Sequence, residues 1–118
     1  MSMTTCRRGD IVLVLFPNSN LRTAKRRPAL VVQADRLETG LAQTVVAMIT
    51  SNLARTGHPS RVMMPADSED AKLAGLLLDS VIMTDNLATV QSSEIDQVIG
   101  TLPSMNRIDG ALRATLAL

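Results

Sequence analysis

The 118-residue sequence has no tryptophan and no tyrosine, and its only phenylalanine is Phe16. That excludes an RNA-binding sheet of the kind that stacks several bases on aromatic side chains. The one cysteine, Cys6, rules out an internal disulfide framework and any all-cysteine metal centre. With His58 as the sole histidine, a Cys/His zinc centre within one chain is excluded too. No apolar run approaches the ~18 residues of a membrane-spanning helix. The opening MSMTTCRRGD lacks the hydrophobic core of a signal peptide. The expectation is a cytoplasmic protein with no membrane partner. Phosphate-cradling glycine loops, zinc-protease patterns and internal repeats are missing as well.

What is present describes a single domain over residues 1–118. Hydrophobic residues make up 46% and charged residues 19%, too apolar a balance for a disordered chain. The net charge of +1 conceals a split. Residues 1–61 carry nine basic residues against three acids, whereas residues 62–118 carry three against eight. A chain divided in this way can offer a basic face to a polyanion or an acidic partner, unless the two halves mix their charges on folding.

The first half reads as strands. Residues 10–16, 29–32, 44–50 and 61–64 are short apolar runs rich in β-branched side chains and bounded by glycine, proline or asparagine. Their continuity implies that both faces are covered, as in a small closed barrel or a sheet packed under helices. Between them lie a basic stretch, residues 17–28, which reads as a long loop, and a second polar loop over 51–60. Residues 67–78 suit either a short helix or a turn leading into a strand. Strands are expected over 79–83, 88–90 and 97–102, with a turn of helix near Ser92 and Ser93. The C-terminus is the strongest helix: Ser104 is placed to cap it, and Ile108, Ala111, Leu112, Thr115 and Leu116 recur at three-and-four spacing.

Three groups of residues are suited to chemistry. In Arg26-Arg27-Pro28 the proline holds Arg27 out of the helical region, and a guanidinium held in this way can grip phosphate with two prongs. A solvated basic loop, with Arg22 and Lys25 as its other members, is the plain alternative. Thr50, Ser51 and Asn52 close the third strand with three small hydrogen-bonding side chains, which is also the composition of an ordinary turn. Arg61 enters the fourth strand and adds a further positive charge. Asp79 and Asp85 flank the next strand at a spacing that defines no carboxylate pair, and Asp79 joins the substrate-binding candidates. His58 sits in an exposed Gly-His-Pro loop. Cys6 lies beside Arg7 and Arg8 without a catalytic partner.

Taken in order, Arg8-Gly9-Asp10-Ile11-Val12, Arg27-Pro28-Ala29-Leu30-Val31-Val32, Ile49-Thr50-Ser51 and Asp79-Ser80-Val81-Ile82-Met83-Thr84-Asp85-Asn86 resemble the MazF/PemK family of toxins from toxin–antitoxin pairs. With the C-terminal helix, the resemblance runs from Arg8 to Leu118. It implies a mainly β fold, an SH3-like small barrel with short helices and a C-terminal helix, paired as a homodimer. It also implies an endoribonuclease that cuts single-stranded RNA at short sequences without a cofactor or metal, and a cognate antitoxin as partner. By position, the catalytic arginine is Arg27 and the catalytic threonine is Thr50, with Ser51 touching substrate. Gly9 and Asp10 match the family's structural opening turn. An acidic antitoxin tail would lie across Arg22, Lys25, Arg27 and Arg61.

One departure stands out. In the segment Asp85-Asn86-Leu87-Ala88 the family often carries a basic residue where this chain has Ala88, so one RNA contact is missing. Arg61 offsets part of that loss. The competing readings are a toxin of the same fold that clasps a protein such as a topoisomerase, a weakened member that only binds RNA or antitoxin, and an unrelated small β domain.

Overall fold

The apolar runs of the first half all form strands. The computed structural model describes residues 5–17 and 24–118, so Arg22 lies outside the described residues. Six strands, β1 (Asp10–Pro17), β2 (Ala24–Val31), β3 (Gln43–Thr50), β4 (Arg61–Met64), β5 (Ser80–Gln91) and β6 (Ile95–Thr101), make one sheet in the order β4-β5-β3-β2-β1-β6. A short helix α1 (Glu69–Leu73) and the C-terminal helix α2 (Asn106–Leu116) accompany it. The architecture is thus mainly β, with few short helices and a C-terminal helix. Among the described residues, no helix is long and apolar enough to cross a membrane.

Alternate side chains on a strand point to opposite faces, so continuous apolar runs require two covered faces. Both are present. On one face Ile11, Leu30, Ala47 and Ile49 pack against Ala71 and Ala74 at α1 and Ile108 and Ala111 of α2. On the other, Val12, Val14, Ala29 and Val46 pack with Val90 and Ile95. The second core explains the curvature. Three strands separate β5 from β6, a span of about 19 Å in a flat sheet. Yet only the turn Ser92–Glu94 joins them, and its reach from Gln91 to Ile95 is at most about 14 Å. The sheet must curl to bring Val90 and Ile95 onto Val12 and Val14.

Several expected boundaries are corrected. The basic stretch is not a loop up to Pro28: β2 begins at Ala24, and Lys25, Arg26, Arg27 and Pro28 pair with Phe16, Leu15, Val14 and Leu13 of β1. Hydrophobicity hid this segment because an exposed strand needs no apolar side chains. The β2–β3 ladder starts only at Ala29 opposite Met48, which leaves Pro28 at an open edge, where its missing N–H is tolerated. The separate strands at 79–83 and 88–90 are one strand, β5. Its pairing with β3 jumps from Met48 opposite Met83 to Ala47 opposite Leu87, so Thr84, Asp85 and Asn86 bulge out. Thr84 ties this bulge to the loop before β4 through its N–H and hydroxyl, both donated to the Ser60 carbonyl at 3.0 and 2.6 Å.

Of the two readings of 67–78, the helix is correct. Ser68 caps α1 by accepting the Ala71 N–H at 3.1 Å, and Leu76–Leu78 form no strand. Helix α2 begins after Met105, later than Ser104, whose hydroxyl accepts the Asn106 N–H at 3.2 Å. The opening turn is structural: Gly9 donates to the Val31 carbonyl and accepts from Leu102, both at 2.9 Å. The Asp10 carboxylate accepts from the Arg7 N–H and the Thr101 hydroxyl. Arg8 reaches Asp109 of α2 at 2.6 Å.

A backbone-to-backbone contact fixes the segment after α1. Gly75 has a φ of +74°, and a β-carbon there would lie 2.2 Å from the Ile99 carbonyl oxygen. Facing it, a β-carbon on Gly100 would lie 2.3 Å from the Ala74 carbonyl carbon. Two glycines thus let the turn after α1 lie directly on β6.

Candidate functional site

Where β2 and β3 part, the sheet opens. They are paired only over Ala29–Val31 and Val46–Met48, while β3 runs on beside β5 to Thr50. The gap is a cleft of about 680 Å³. Lys25, Arg26, Arg27 and Pro28 of β2 form one side, and Thr50 and Ser51 at the end of β3 form the other. Leu76, Leu77 and Leu78 make a third wall, and Met83, Asn86 and Ala88 of β5 are among the other lining residues. Of the sequence-derived candidates, the cleft therefore gathers Arg27, Thr50, Lys25, Arg26 and Ser51.

Their electrostatic states differ. Three ion pairs occur among the described residues: Arg8–Asp109, Arg26–Asp96 and Arg61–Asp85. Each joins a base of the first half to an acid of the second, so folding mixes much of the charge that the sequence segregates. Lys25 and Arg27 are exposed and take part in none of these pairs, so uncompensated positive charge collects at the cleft. Arg26 is drawn to Asp96 at 2.8 Å. Thr50 is prepared differently. Its Oγ1 accepts the Asn52 N–H at 3.1 Å, which leaves the hydroxyl hydrogen to be donated to an anion in the cleft.

The remaining candidates stand elsewhere. Arg61 donates to Asp85 at 2.9 Å and to the Arg55 carbonyl at 3.1 Å, so its guanidinium ties the β5 bulge to the 51–60 loop. The hydrogen bond from Arg61 holds the Asp85 carboxyl below the usual carboxylate value. Asn52 caps the turn Leu53–Arg55, its side chain accepting the Ala54 N–H at 3.1 Å. Asp79 accepts the Ala66 N–H at 2.7 Å and so holds the chain just before β5. His58 is exposed, with Nδ1 2.7 Å from the Ser60 hydroxyl. Burial pushes the Cys6 thiol above its ordinary value, aided by the Asp10 charge.

Sequence reasoning missed the leucine wall and Asn86. The three leucines suggested a strand, and nothing local showed that Gly75 seats them on β6. Asn86 reaches the cleft from the bulge, a feature set by pairing across strands. Among the described lining residues there is no carboxylate and no imidazole. The cleft is therefore equipped to bind and polarise an anion and offers no described proton acceptor of the usual kind.

A family model for PemK-like, MazF-like toxins of type II toxin-antitoxin systems matches residues 7–116. Endoribonuclease MazF6 of Mycobacterium tuberculosis is 35% identical over 107 residues, covering 88% of this chain and 90% of that one. Endoribonuclease EndoA of Bacillus subtilis is 30% identical over 115 residues, 95% of each chain. Among solved structures, a mycobacterial endoribonuclease in complex with its cognate antitoxin superposes with a TM-score of 0.73 over 97% of both chains. At 23% identity that is a likeness of fold.

Proposed function

Because the chain belongs to the PemK-like, MazF-like toxins of type II toxin-antitoxin systems, we propose that it is an endoribonuclease cutting single-stranded RNA at short sequences. The observation that carries this reading is an exposed Arg27, outside the three ion pairs, in one cleft with a Thr50 hydroxyl whose hydrogen remains free to donate.

RNA carries its own nucleophile. The 2′-oxygen attacks the adjacent phosphorus, the bond from phosphorus to the 5′-oxygen breaks, and a 2′,3′-cyclic phosphate and a 5′-hydroxyl result. The 2′-proton leaves to solvent or a base, and the departing 5′-oxygen gains one. This route needs no metal. The protein must align the two oxygens in line and stabilise the extra negative charge. Arg27 meets that charge with two parallel N–H donors, and Thr50 donates to a phosphate oxygen. The guanidinium has five N–H donors and no acceptor, so its role is electrostatic. Lys25, Arg26 and Ser51 hold the flanking strand, with Arg22 as a further contact. Arg61, Asn52 and Asp79 act on the substrate by shaping the loops around the cleft.

The curled sheet supports a small SH3-like barrel, and the family match over residues 7–116 supports a single domain. The partners are a cognate antitoxin, whose acidic segment meets Lys25 and Arg27, and a second copy of the chain. Sedimentation at micromolar concentration is expected to give twice the 12.7 kDa chain mass, and a 12.7 kDa species alone would overturn the homodimer.

The activity itself is tested on a long single-stranded RNA, with and without a chelator. Discrete cuts ending in cyclic phosphate are expected in both, with none where the 2′-hydroxyl at the cut site is replaced by hydrogen. Intact RNA under all conditions would overturn the nuclease and point to a protein target.

A further inference from the structure

Two leucines on the cleft wall are exposed where packing would normally hide them. Leu77 is 90% and Leu78 65% exposed, whereas Leu76 between them and α1 is buried. They do not belong to a loose loop. The Leu76 N–H donates to the Ala71 carbonyl at 2.9 Å, and the Leu78 carbonyl accepts the Ser80 hydroxyl at 2.8 Å. Just before them, Gly75 lies against the Ile99 carbonyl so closely that no β-carbon fits. The wall is anchored at both ends, and its two outer side chains have no covering.

We propose that Leu77 and Leu78 seat a nucleobase that adjoins the phosphate held by Arg27 and Thr50. This rests on the nuclease reading above and names a binding element of the same cleft. The reasoning is chemical complementarity. A nucleotide in a single strand is divided into an anionic phosphate and a flat base with apolar faces. The cleft is divided in the same way, with the positive Lys25 and Arg27 on β2 and the leucines as a separate apolar wall. Because Arg27 and the two leucines line one cleft, a phosphate drawn to Arg27 brings its nucleotide into the space that the wall bounds. No aromatic side chain is among the described lining residues of the cleft, so the leucines are the apolar surface it offers to a base. Leucine methyl groups serve every base alike, since each has an apolar face. The seat therefore contributes affinity and base placement, while discrimination among bases falls to polar groups such as Asn86.

The test compares the parent with the Leu77→Ser/Leu78→Ser and Leu77→Met/Leu78→Met double variants. Each is measured for binding to an oligonucleotide carrying a 2′-O-methyl group at the cut site, and for cleavage of the unmodified RNA. The serine variant is expected to melt with the parent, because both side chains face solvent. Its Kd and KM should rise about tenfold, with kcat at saturation nearly unchanged. The methionine variant should stay close to the parent. Removing single bases beside the cut should weaken binding to the parent at one position, and weaken the serine variant much less at that position.

Equal RNA binding by parent and serine variant would overturn the seat, as would an identical loss from the abasic substitution in both. Unchanged RNA binding with lost self-association, or with lost antitoxin binding, would overturn it in favour of a protein interface. A parent that binds the blocked oligonucleotide but never cuts RNA would sink the nuclease reading while leaving the seat to be judged by the binding arm.

Discussion

Arg27→Ala is expected to cut RNA a hundred- to a thousand-fold more slowly than the parent while folding normally. Removing one fixed group that stabilises transition-state charge typically costs about 3–4 kcal/mol, which is roughly that factor in rate. Folding should survive because the side chain is exposed and outside the ion pairs that tie the molecule together. RNA affinity should fall far less, since Lys25 and the other bases still supply long-range attraction. Arg27→Lys should recover only part of the rate: an ammonium is a point charge and cannot give two parallel hydrogen bonds to phosphate. Thr50→Ala should slow the reaction by a smaller factor, as the loss of a neutral donor. Single-turnover cleavage of saturating RNA, run beside circular dichroism, checks all three. A folded Arg27→Ala protein cutting within about threefold of the parent would remove Arg27 from the mechanism, since electrostatic stabilisation of this kind is worth far more.

The largest effect on stability is expected at Gly75. In Gly75→Ala the new β-carbon would stand 2.2 Å from the Ile99 carbonyl oxygen, and the backbone would keep a φ of +74°. The left-handed conformation alone costs an alanine about 1–2 kcal/mol. Overpacking against a backbone atom adds about 1–3 kcal/mol, because a β-strand held in a ladder cannot move aside as a flexible side chain can. The sum is a large share of the ~5–15 kcal/mol that a domain has in total. The melting temperature should fall by about 10–30 °C. Gly110→Ala is the internal control. Gly110 lies in α2 with nothing within 4 Å of its β-carbon position, so alanine there should stabilise by up to about 1 kcal/mol. Thermal melts of the two variants decide the matter. Gly75→Ala melting with the parent would mean that the contact with β6 is not held in solution.

Much of the fold was legible in the sequence because it depends on burial. The runs around Ile11, Leu30, Val46 and Ile82 are apolar at successive positions, and only a strand covered on both faces makes use of that. The C-terminal helix was legible from the spacing of Ile108 and Ala111, both buried in the structure. The segment Lys25–Pro28 was not, because an exposed strand leaves no hydrophobic trace. Nor was the bulge at Thr84, Asp85 and Asn86, since a bulge is a mismatch between two strands and belongs to neither alone.

For the site, the sequence by itself determined the ingredients: the Arg26-Arg27-Pro28 segment, the Thr50-Ser51 strand end, and a family pattern that ties them together. It also fixed the surplus of positive charge in the first half. Which of those charges remain available was decided only by tertiary structure. Arg61 and Arg26 are as basic in sequence as Arg27, but folding sets them beside Asp85 and Asp96. Each of these pairs joins residues far apart along the chain, and a sequence carries no signal for a contact that exists only once strands have taken their register. The cleft itself has the same origin, since it exists because β2 and β3 part beyond Ala29 and Met48. So does its leucine wall, held in place by Gly75 and Gly100 meeting across two elements that no local pattern connects.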